Sequence, residues 1–261
     1  MKPRYILMLL LAFLVIAVTS CSSQPSLMEM EEWDLVWISD STGWGVVDVY
    51  AAMVEEETGI TVNVHNYWVG GLQAAEVLYG LRGEPLDPHD RMFDQLAEEI
   101  PGAELIVFYA NPAGSWRGDN PADWSCTEYS GNYVNNCEMA TFDTYVADLE
   151  AIYELIFEMR AGQPTIVRAY DAYNPRVSNW QADGSYDDCR ACWDNYNAGI
   201  HQAAATYNIP VADVFVAWNG ADWSQDPEEM GYTKDGEHPS ELGARVMAEA
   251  VLATGFEPVI P

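Results

Sequence analysis

The sequence predicts one α/β domain, a three-layer α/β/α arrangement whose central sheet is mostly parallel. Short apolar runs alternate along the chain with segments of helical period, as expected when strands and helices follow one another. The apolar run at residues 105–109 is unbroken, which is typical of a parallel strand covered by helices on both faces. Residues 33–261, roughly 230 in all, are enough for a single domain with a sizeable core.

The predicted strands and helices follow one another in order. Strand candidates occupy residues 33–38, 60–64, 105–109, 165–169 and 210–216. Helix candidates occupy residues 45–57, 71–81, 90–99, 142–160, 192–207 and 240–254, the last with Ser240 as its N-cap. Segments 111–140 and 171–187 are predicted to be loops, and the first is long enough to be functional.

Residues 1–20 are predicted to be a secretory signal peptide. A basic start precedes an apolar run over residues 6–18, which is shorter than the helix of about 20 residues that crosses a bilayer. Val18-Thr19-Ser20-Cys21 resembles a bacterial lipobox. The resemblance implies lipidation of Cys21, a tether over residues 21–32 and a position at the extracytoplasmic face of the cell membrane. The alternative is an ordinary signal peptide followed by an incidental cysteine.

The charge of the chain excludes two classes of substrate. Removing residues 1–20 takes away Lys2 and Arg4, so 9 basic and 41 acidic residues remain, a net charge of 9 − 41 = −32. Such a surface repels nucleic acid and anionic lipid, so we expect neither as a partner, and contact with the membrane only through the anchor. High acidity with scarce lysine indicates either a salty environment or a compositional bias of the source.

Four cysteines besides Cys21 remain in the exported chain: Cys126, Cys137, Cys189 and Cys192. An even number in an oxidising compartment predicts two disulfides, for which the sequence allows three connectivities. Short loops favour Cys126–Cys137 and Cys189–Cys192. A four-cysteine zinc site is the alternative.

A serine, an aspartate and a histidine together indicate nucleophilic catalysis. Ser41 falls where the first strand should end and the first helix begin, at the edge of such a sheet where ligands bind. Asp235 and His238 are three residues apart in one short segment. A hydroxyl nucleophile needs a base within hydrogen-bond reach, and the base needs a third group to orient it. Ser41 alone would be read as a helix cap, but the remote Asp-x-x-His favours a nucleophile.

This arrangement resembles the SGNH, or GDSL-type, hydrolase family. The family's first block, Gly-Asp-Ser followed later by Gly, is matched by Asp40, Ser41 and Gly45, with Ser39 in place of the first glycine. The last block, Asp-x-x-His-Pro, is complete at residues 235–239.

The two middle blocks of the family are matched in part. Gly71 follows the second predicted strand at a suitable spacing, and Asn111 follows the third, with Pro112 where the family has an aspartate. The resemblance spans about residues 33–255 and implies a flavodoxin-like sheet and a cofactor-free esterase.

Roles follow from the resemblance, residue by residue. Ser41 would attack the ester carbonyl, His238 would act as base and then acid, and Asp235 would orient His238. The oxyanion would accept hydrogen bonds from the backbone N–H groups of Ser41 and Gly71 and from the side-chain amide of Asn111.

We expect neither a cofactor nor a metal ion. No phosphate-binding loop or dinucleotide fingerprint is present, and His65 and His201 have no acidic or thiol neighbours at ligand spacing. Both histidines are predicted to be structural, and His89 is assigned to a loop.

The predicted function is therefore an exported serine esterase that hydrolyses small acyl or carbohydrate-linked esters. Tryptophans in loops or near the crevice are compatible with sugar or acyl binding, or with packing alone; they are Trp44, Trp68, Trp116, Trp124, Trp180 and Trp223. A non-catalytic glycan-binding lipoprotein on a degenerate hydrolase scaffold is the alternative.

If both cysteine pairs are disulfides, the unreduced mature protein should weigh about four protons less than the fully reduced form. Intact mass spectrometry before and after reduction measures this difference. Four free thiols, or stoichiometric zinc in the purified protein, would contradict the disulfide assignment.

Overall fold

The computed structural model describes residues 26–84, 90–111 and 139–259. The chain divides into two compact units at Met30 and Glu31. In the described part of the first unit, Leu27–Glu29 form a 3-10 turn. The signal peptide and Cys21 lie outside the described residues, so both stay predictions. Among the described residues, no helix combines the length and the apolar character that a membrane crossing requires.

The second unit is built on a five-stranded parallel sheet with the order β2-β1-β3-β4-β5. The strands are β1 Glu32–Ser39, β2 Thr61–Trp68, β3 Leu105–Phe108, β4 Ile166–Tyr170 and β5 Val211–Ala212. Within the described residues the helices are α1 Val46–Thr58, α2 Ala74–Leu81, α3 Asp90–Glu99, α4 Met139–Met159, α5 Val177–Asp183, α6 Tyr186–Thr206, α7 Val214–Asn219 and α8 Glu241–Leu252. The predicted α/β class and the parallel sheet are confirmed.

Helices cover the sheet in two groups, which gives the three layers. Helix α1 packs against α8, and α8 against α7, while α4 packs against α6 and α2. Strands β3 and β4 are buried along their whole length, as the unbroken apolar run predicted. The core therefore lies on both faces of the central strands.

Two sequence predictions in the second half of the chain are wrong. Residues 171–187 are not a loop, because α5 occupies Val177–Asp183 and α6 begins at Tyr186. Helix α5 is short and buries two apolar residues, Val177 and Trp180, which are too few to show a helical period in the sequence. The sequence did indicate the early start of α6: Asp187 and Asp188 lie in its first turn, where acidic side chains interact favourably with the positive end of the helix dipole.

The apolar segment 210–216 is also not one strand. Only Val211–Ala212 pair with β4, and Val214 begins helix α7. A short apolar run is compatible with a buried strand and with a buried helix, so its composition alone could not separate them.

Arg168 in β4 holds the C-terminal segment against the sheet. Its side chain is fully buried, and its guanidinium donates to the carbonyl of Gly255 at 2.8 and 3.1 Å and to that of Glu257 at 2.9 Å. An antiparallel bridge between Thr165 and Val259 continues the attachment. A buried guanidinium is tolerated here because backbone oxygens replace its water.

We expect Arg168→Met to lower the free energy of unfolding by about 2–4 kcal/mol, because three hydrogen bonds from a charged group are lost and partly buried carbonyls lose their donor. Urea denaturation measures the change. The matched control is Arg245→Met, whose side chain is 66% exposed beside Glu249 and should matter by less than about 0.5 kcal/mol. Equal effects of the two changes would contradict the assigned role.

Candidate active site

Ser41 is presented by a tight turn at the carboxyl end of β1. Residues Ser41–Gly43 form a 3-10 turn capped by Asp40, whose carboxylate accepts the N–H of Thr42 at 2.8 Å. Ser41 itself is 7% exposed. The turn thus fixes the direction in which the serine leaves the strand.

Ser39, which stands where the family has glycine, is accommodated by Gly43. The buried indole of Trp37 donates to the Ser39 hydroxyl at 3.1 Å. A Cβ at position 43 would lie 2.1 Å from that hydroxyl oxygen and 2.7 Å from the Trp37 nitrogen, so only glycine fits. The departure from the first block is therefore compensated within the same turn.

Gly45 allows the chain to pass from this turn into α1. It has φ of 78°, in the left-handed region that glycine adopts without steric penalty, and it is the N-cap residue of α1. This explains why a glycine at the spacing of the first block was informative.

Asp235 and His238 lie in a short loop that precedes α8. The loop is closed by a bridge between Thr233 and Pro239 and by a hydrogen bond from the Lys234 N–H to the His238 carbonyl at 3.0 Å. Ser240 then caps α8 by accepting the N–H of Gly243, as the sequence predicted. The histidine is held between a closed loop and a helix start.

The structure brings Ser41, His238 and Asp235 into one hydrogen-bonded chain. His238 Nε2 lies 3.1 Å from Ser41 Oγ, and His238 Nδ1 lies 2.8 Å from Asp235 Oδ2. The second oxygen of Asp235 accepts the backbone N–H of His238 at 2.7 Å. These distances lie within the reach that serine activation by a histidine needs.

The ionised state of Asp235 is consistent with the hydrogen bonds from Ser41 through His238 to Asp235. Partial burial acts to raise its pKa, but hydrogen bonds from the backbone and ring of His238, with the charge of Lys234, outweigh burial and lower the pKa below its usual value. The carboxylate is thus ionised near neutral pH and can only accept. Nδ1 of His238 consequently carries the hydrogen, and Nε2 can accept the Ser41 proton.

The predicted oxyanion donors come from adjacent strands. The strand order β2-β1-β3 places the segment after β2 and the segment after β3 on either side of Ser41. Gly71 lies in the turn after β2 with φ of 71°. Asn111 after β3 forms a parallel bridge with Gln73, so the two segments are joined to each other.

The side chain of Asn111 is held at both ends. Its Nδ2 donates to Asp40 Oδ2 at 2.6 Å, and its Oδ1 accepts from the hydroxyl of Tyr109 at 3.2 Å. These partners define which end of the amide is the nitrogen. An amide nitrogen carries two hydrogens, so Asn111 can donate to Asp40 and to a ligand oxygen at once.

Buried tyrosine hydroxyls support this amide. Tyr109 Oη lies 2.6 Å from Tyr196 Oη, and the Tyr145 hydroxyl donates to the carbonyl of Ala110 at 2.7 Å. Burial raises the pKa of all three phenols well above its usual value, so they remain protonated donors. Since Tyr109 donates to Asn111, Tyr196 must donate to Tyr109.

A cavity of about 810 Å³, counting space open to solvent, adjoins the triad. Thr42 and Glu237, the chain neighbours of Ser41 and His238, are part of its wall, as are Gly71 and Asn111. Most of the remaining wall is aromatic or charged: Asp40, Tyr109, Tyr170, Asp171, Tyr173, Arg176, Trp180, Trp193. Two of the three predicted oxyanion residues, Gly71 and Asn111, therefore line a space that a ligand could occupy.

Sequence reasoning missed the residues that hold the histidine loop from the β4 side. The Tyr173 hydroxyl donates to the carbonyl of Glu237, and Arg176 forms an ion pair with the Glu237 carboxylate at 3.3 Å. Tyr173 in turn stacks on Trp218 with ring centroids 3.7 Å apart. Their location in the sequence could have indicated this role, because Tyr173 and Arg176 follow the carboxyl end of a parallel strand, where ligand sites form.

His65 and His201 have acidic partners that come from elsewhere in the fold. His65 Nδ1 contacts Glu99, and His201 Nε2 lies 3.2 Å from Asp171. The hydrogen bond to Asp171 raises the pKa of His201, and burial raises that of Asp171. With Asp213, this pair offers three ligand atoms within 4.8 Å of one another. Local spacing could not reveal the group, because Asp171 directly follows β4, His201 lies in α6 and Asp213 is the N-cap residue of α7.

Several predicted residues lie outside the described part of the chain: Cys126, Cys137, Trp116, Trp124 and His89. Cys189 and Cys192 are both buried in α6, one turn apart. The disulfide pairings therefore stay predictions.

The three-layer parallel arrangement is the α/β fold of the SGNH hydrolases. The lipase Lip_vut3 from a goat rumen metagenome shares it with a TM-score of 0.57 and 18% identity, over 86% of this chain and 98% of the lipase. TesA matches with a TM-score of 0.53 and 15% identity, over 85% and 97% of the two chains. The acetyl xylan esterase AlAXEase matches with a TM-score of 0.50 and 14% identity, over 84% and 98%.

At these identities the likeness is one of fold alone. No protein-family model matches the sequence, and neither does any curated protein.

We expect Tyr109→Phe to lower the free energy of unfolding by about 1–3 kcal/mol, because it removes a hydrogen-bond partner from Asn111 and from Tyr196 inside the core. Tyr196→Phe should cost a similar amount. The double variant should cost less than the sum, because the two hydroxyls that depend on each other are removed together.

Urea denaturation of the four proteins in this cycle measures the coupling. Tyr79→Phe is the control, since Tyr79 is 41% exposed and its change should lie within about 0.5 kcal/mol. Strictly additive costs would argue against the hydroxyl chain.

Proposed function

We propose that this chain is an exported, lipid-anchored serine esterase that acts on small acyl or carbohydrate-linked esters. The observation that carries the proposal is the hydrogen-bonded chain from Ser41 through His238 to Asp235, with links of 3.1 and 2.8 Å. The fold shared with a lipase and an acetyl xylan esterase supports it. The anchor rests on the sequence of residues 1–21 alone.

In the proposed reaction, His238 Nε2 removes the Ser41 proton as Oγ bonds to the ester carbonyl carbon. The carbonyl π electrons move to its oxygen, which becomes the oxyanion. The imidazolium then gives its proton to the alkoxy oxygen as that carbon–oxygen bond breaks, and the alcohol leaves. Water, activated by the same histidine, releases the acid and restores Ser41.

Asp235 stabilises the imidazolium that forms in each step. Its lowered pKa keeps it ionised, so it compensates the transient positive charge without itself taking the proton. Its second oxygen, bonded to backbone N–H groups, holds the carboxylate in place.

The oxyanion is assigned to the backbone N–H groups of Ser41 and Gly71 and to Asn111 Nδ2. A donor held in place before the reaction requires no reorganisation as charge develops, and removing one typically costs about 2.7–4 kcal/mol of barrier. The hydrogen bond that Asn111 donates to Asp40 and the one that it accepts from Tyr109 supply such preorganisation. The adjoining cavity is assigned to the acyl group.

The non-catalytic glycan-binding alternative is not favoured. A degenerate site would be expected to have lost the contact between nucleophile and base, and the 3.1 Å distance between Ser41 and His238 argues against such a loss. One protein can both bind glycans and catalyse ester hydrolysis, so an observation of glycan binding alone would not support the non-catalytic alternative.

The decisive experiment targets the nucleophile. A fluorophosphonate probe should label the wild type at Ser41, and p-nitrophenyl acetate should be hydrolysed. Ser41→Ala should abolish labelling, and Ser41→Ala and His238→Ala should each lower kcat/KM by at least about 10³-fold. Peptide mapping of the labelled protein and initial-rate kinetics are the measurements.

Two control variants test whether these losses are specific. Ser224→Ala and His65→Ala change a serine and a histidine away from the triad and should retain activity and labelling. The unfolding free energies of Ser41→Ala and His238→Ala should fall by no more than about 3 kcal/mol, the upper end for leaving one hydrogen-bonding group without its partner. A folded wild type that neither takes up the probe nor hydrolyses the ester would sink the esterase proposal.

A further inference from the structure

Two tryptophans break the burial pattern of the others. Among the described residues, five tryptophans are buried and Trp223 is half-buried, whereas Trp44 is 50% and Trp68 is 41% exposed. Their rings stack with centroids 5.8 Å apart and an angle of 23° between planes. A contiguous exposed apolar surface is a candidate binding surface, and these two stacked rings form one.

Both rings and a lysine meet beside the triad. Trp44 directly follows the turn that bears Ser41, and its N–H donates to the Ser41 carbonyl at 3.2 Å. Trp68 is the last residue of β2, three positions before Gly71. Lys234, next to Asp235, places its Nζ 3.3 Å from the centroid of the Trp44 ring. We call Trp44, Trp68 and Lys234 the tryptophan platform.

The platform is held in place before any ligand arrives. A cation over the face of an indole is attracted by the negative face of the ring, and the Trp68 ring packs against the same indole. Since less side-chain freedom remains to be lost, a ligand that stacks on the platform binds at a smaller entropic cost.

We propose that the tryptophan platform binds a neutral pyranose ring in the alcohol part of the ester, which makes the substrate an acylated oligosaccharide. The assignment to the alcohol rests on the proposed function, whereas the sugar site itself does not. Lys234 belongs to the loop that carries His238, the group that protonates the leaving alcohol. The platform therefore lies on the side of the histidine, and the aromatic cavity is left to the acyl group.

Charge selects a neutral ligand. The whole chain has a formal charge of −30, so acidic polysaccharides and anionic lipid surfaces are repelled. An alkyl chain would fit the indoles, but the ammonium of Lys234 lies over the Trp44 ring, and its chain neighbour Asp235 carries a half-exposed carboxylate. A sugar ring, with an apolar C–H face and hydroxyls at its edge, matches both kinds of surface.

The open position of the rings fits a chain of sugars. The cavity is recessed and partly lined by aromatic side chains. The platform rings are exposed, which leaves room for neighbouring sugar units. An acyl group carried on an oligosaccharide uses both surfaces at once.

The test measures binding without turnover, in the Ser41→Ala background. Isothermal titration calorimetry with xylohexaose and with cellohexaose should give a Kd near or below about 1 mM for at least one of them. Adding Trp68→Ala should weaken that binding about tenfold or more, and Trp68→Phe should weaken it less, because a smaller aromatic face remains. Tyr79→Ala, at an equally exposed aromatic outside the platform, should leave the Kd unchanged.

Further titrants separate the possible occupants. Hexagalacturonate should bind more weakly than the neutral sugars, and dodecanoate should show no dependence on Trp68. Binding of dodecanoate that Trp68→Ala abolishes, or neutral sugars that do not bind or bind equally to all variants, would overturn the proposal. Thermal unfolding shows that each variant is folded, and Trp68→Phe provides the comparison if Trp68→Ala is not.

The result is independent of esterase activity. If wild type hydrolyses p-nitrophenyl acetate but the sugars do not bind, the platform assignment fails and the proposed function stands. If the sugars bind through Trp68 but wild type is inactive, the sugar site stands and the esterase function fails.

Discussion

The carboxylate of Asp40 joins the ends of β1 and β3 at the point where the parallel ladder between them stops. One oxygen accepts the N–H of Thr42 and so fixes the turn that presents Ser41, and the other accepts the amide of Asn111 at 2.6 Å. The side chain is only 6% exposed, so these hydrogen bonds replace the water that a carboxylate would otherwise bind. The predicted nucleophile and a predicted oxyanion donor are thus positioned by the same group. A shift of Asp40 would displace both.

Much of the fold and the central part of the site could be predicted from the sequence, because the informative patterns there are local. The period of 142–160 and the unbroken run at 105–109 report burial directly, and Asp-x-x-His places two partners in one loop. What could not be predicted depends on distant contacts. Arg176 reaches Glu237 across 61 positions, and the Tyr109 hydroxyl meets that of Tyr196 across 87.

The weakest parts of the family resemblance prove to be locally supported in the structure. Ser39 stands where the family has a glycine. Its hydroxyl accepts a hydrogen bond from the Trp37 indole, and its side chain occupies space that is open because residue 43 is a glycine. Asn111 lacks its usual acidic neighbour, but Asp40 and the buried tyrosine hydroxyls fix its amide. In both cases the residue differs from the motif, and neighbouring groups in this structure hold it in place. Motif matching counts such changes as losses, whereas the contacts show a site that is still held together.

The fit between Ser39 and Gly43 constrains the order in which this turn can change during evolution. With serine at position 39, any side chain at position 43 would overlap the hydroxyl, so the glycine is fixed for as long as the serine remains. Replacing Ser39 by glycine would remove that overlap but would leave the Trp37 indole without its acceptor and still 2.7 Å from a new Cβ. The three positions are therefore coupled in one direction: a side chain at position 43 requires changes at both Trp37 and Ser39, whereas Gly43 can be kept whatever those two become.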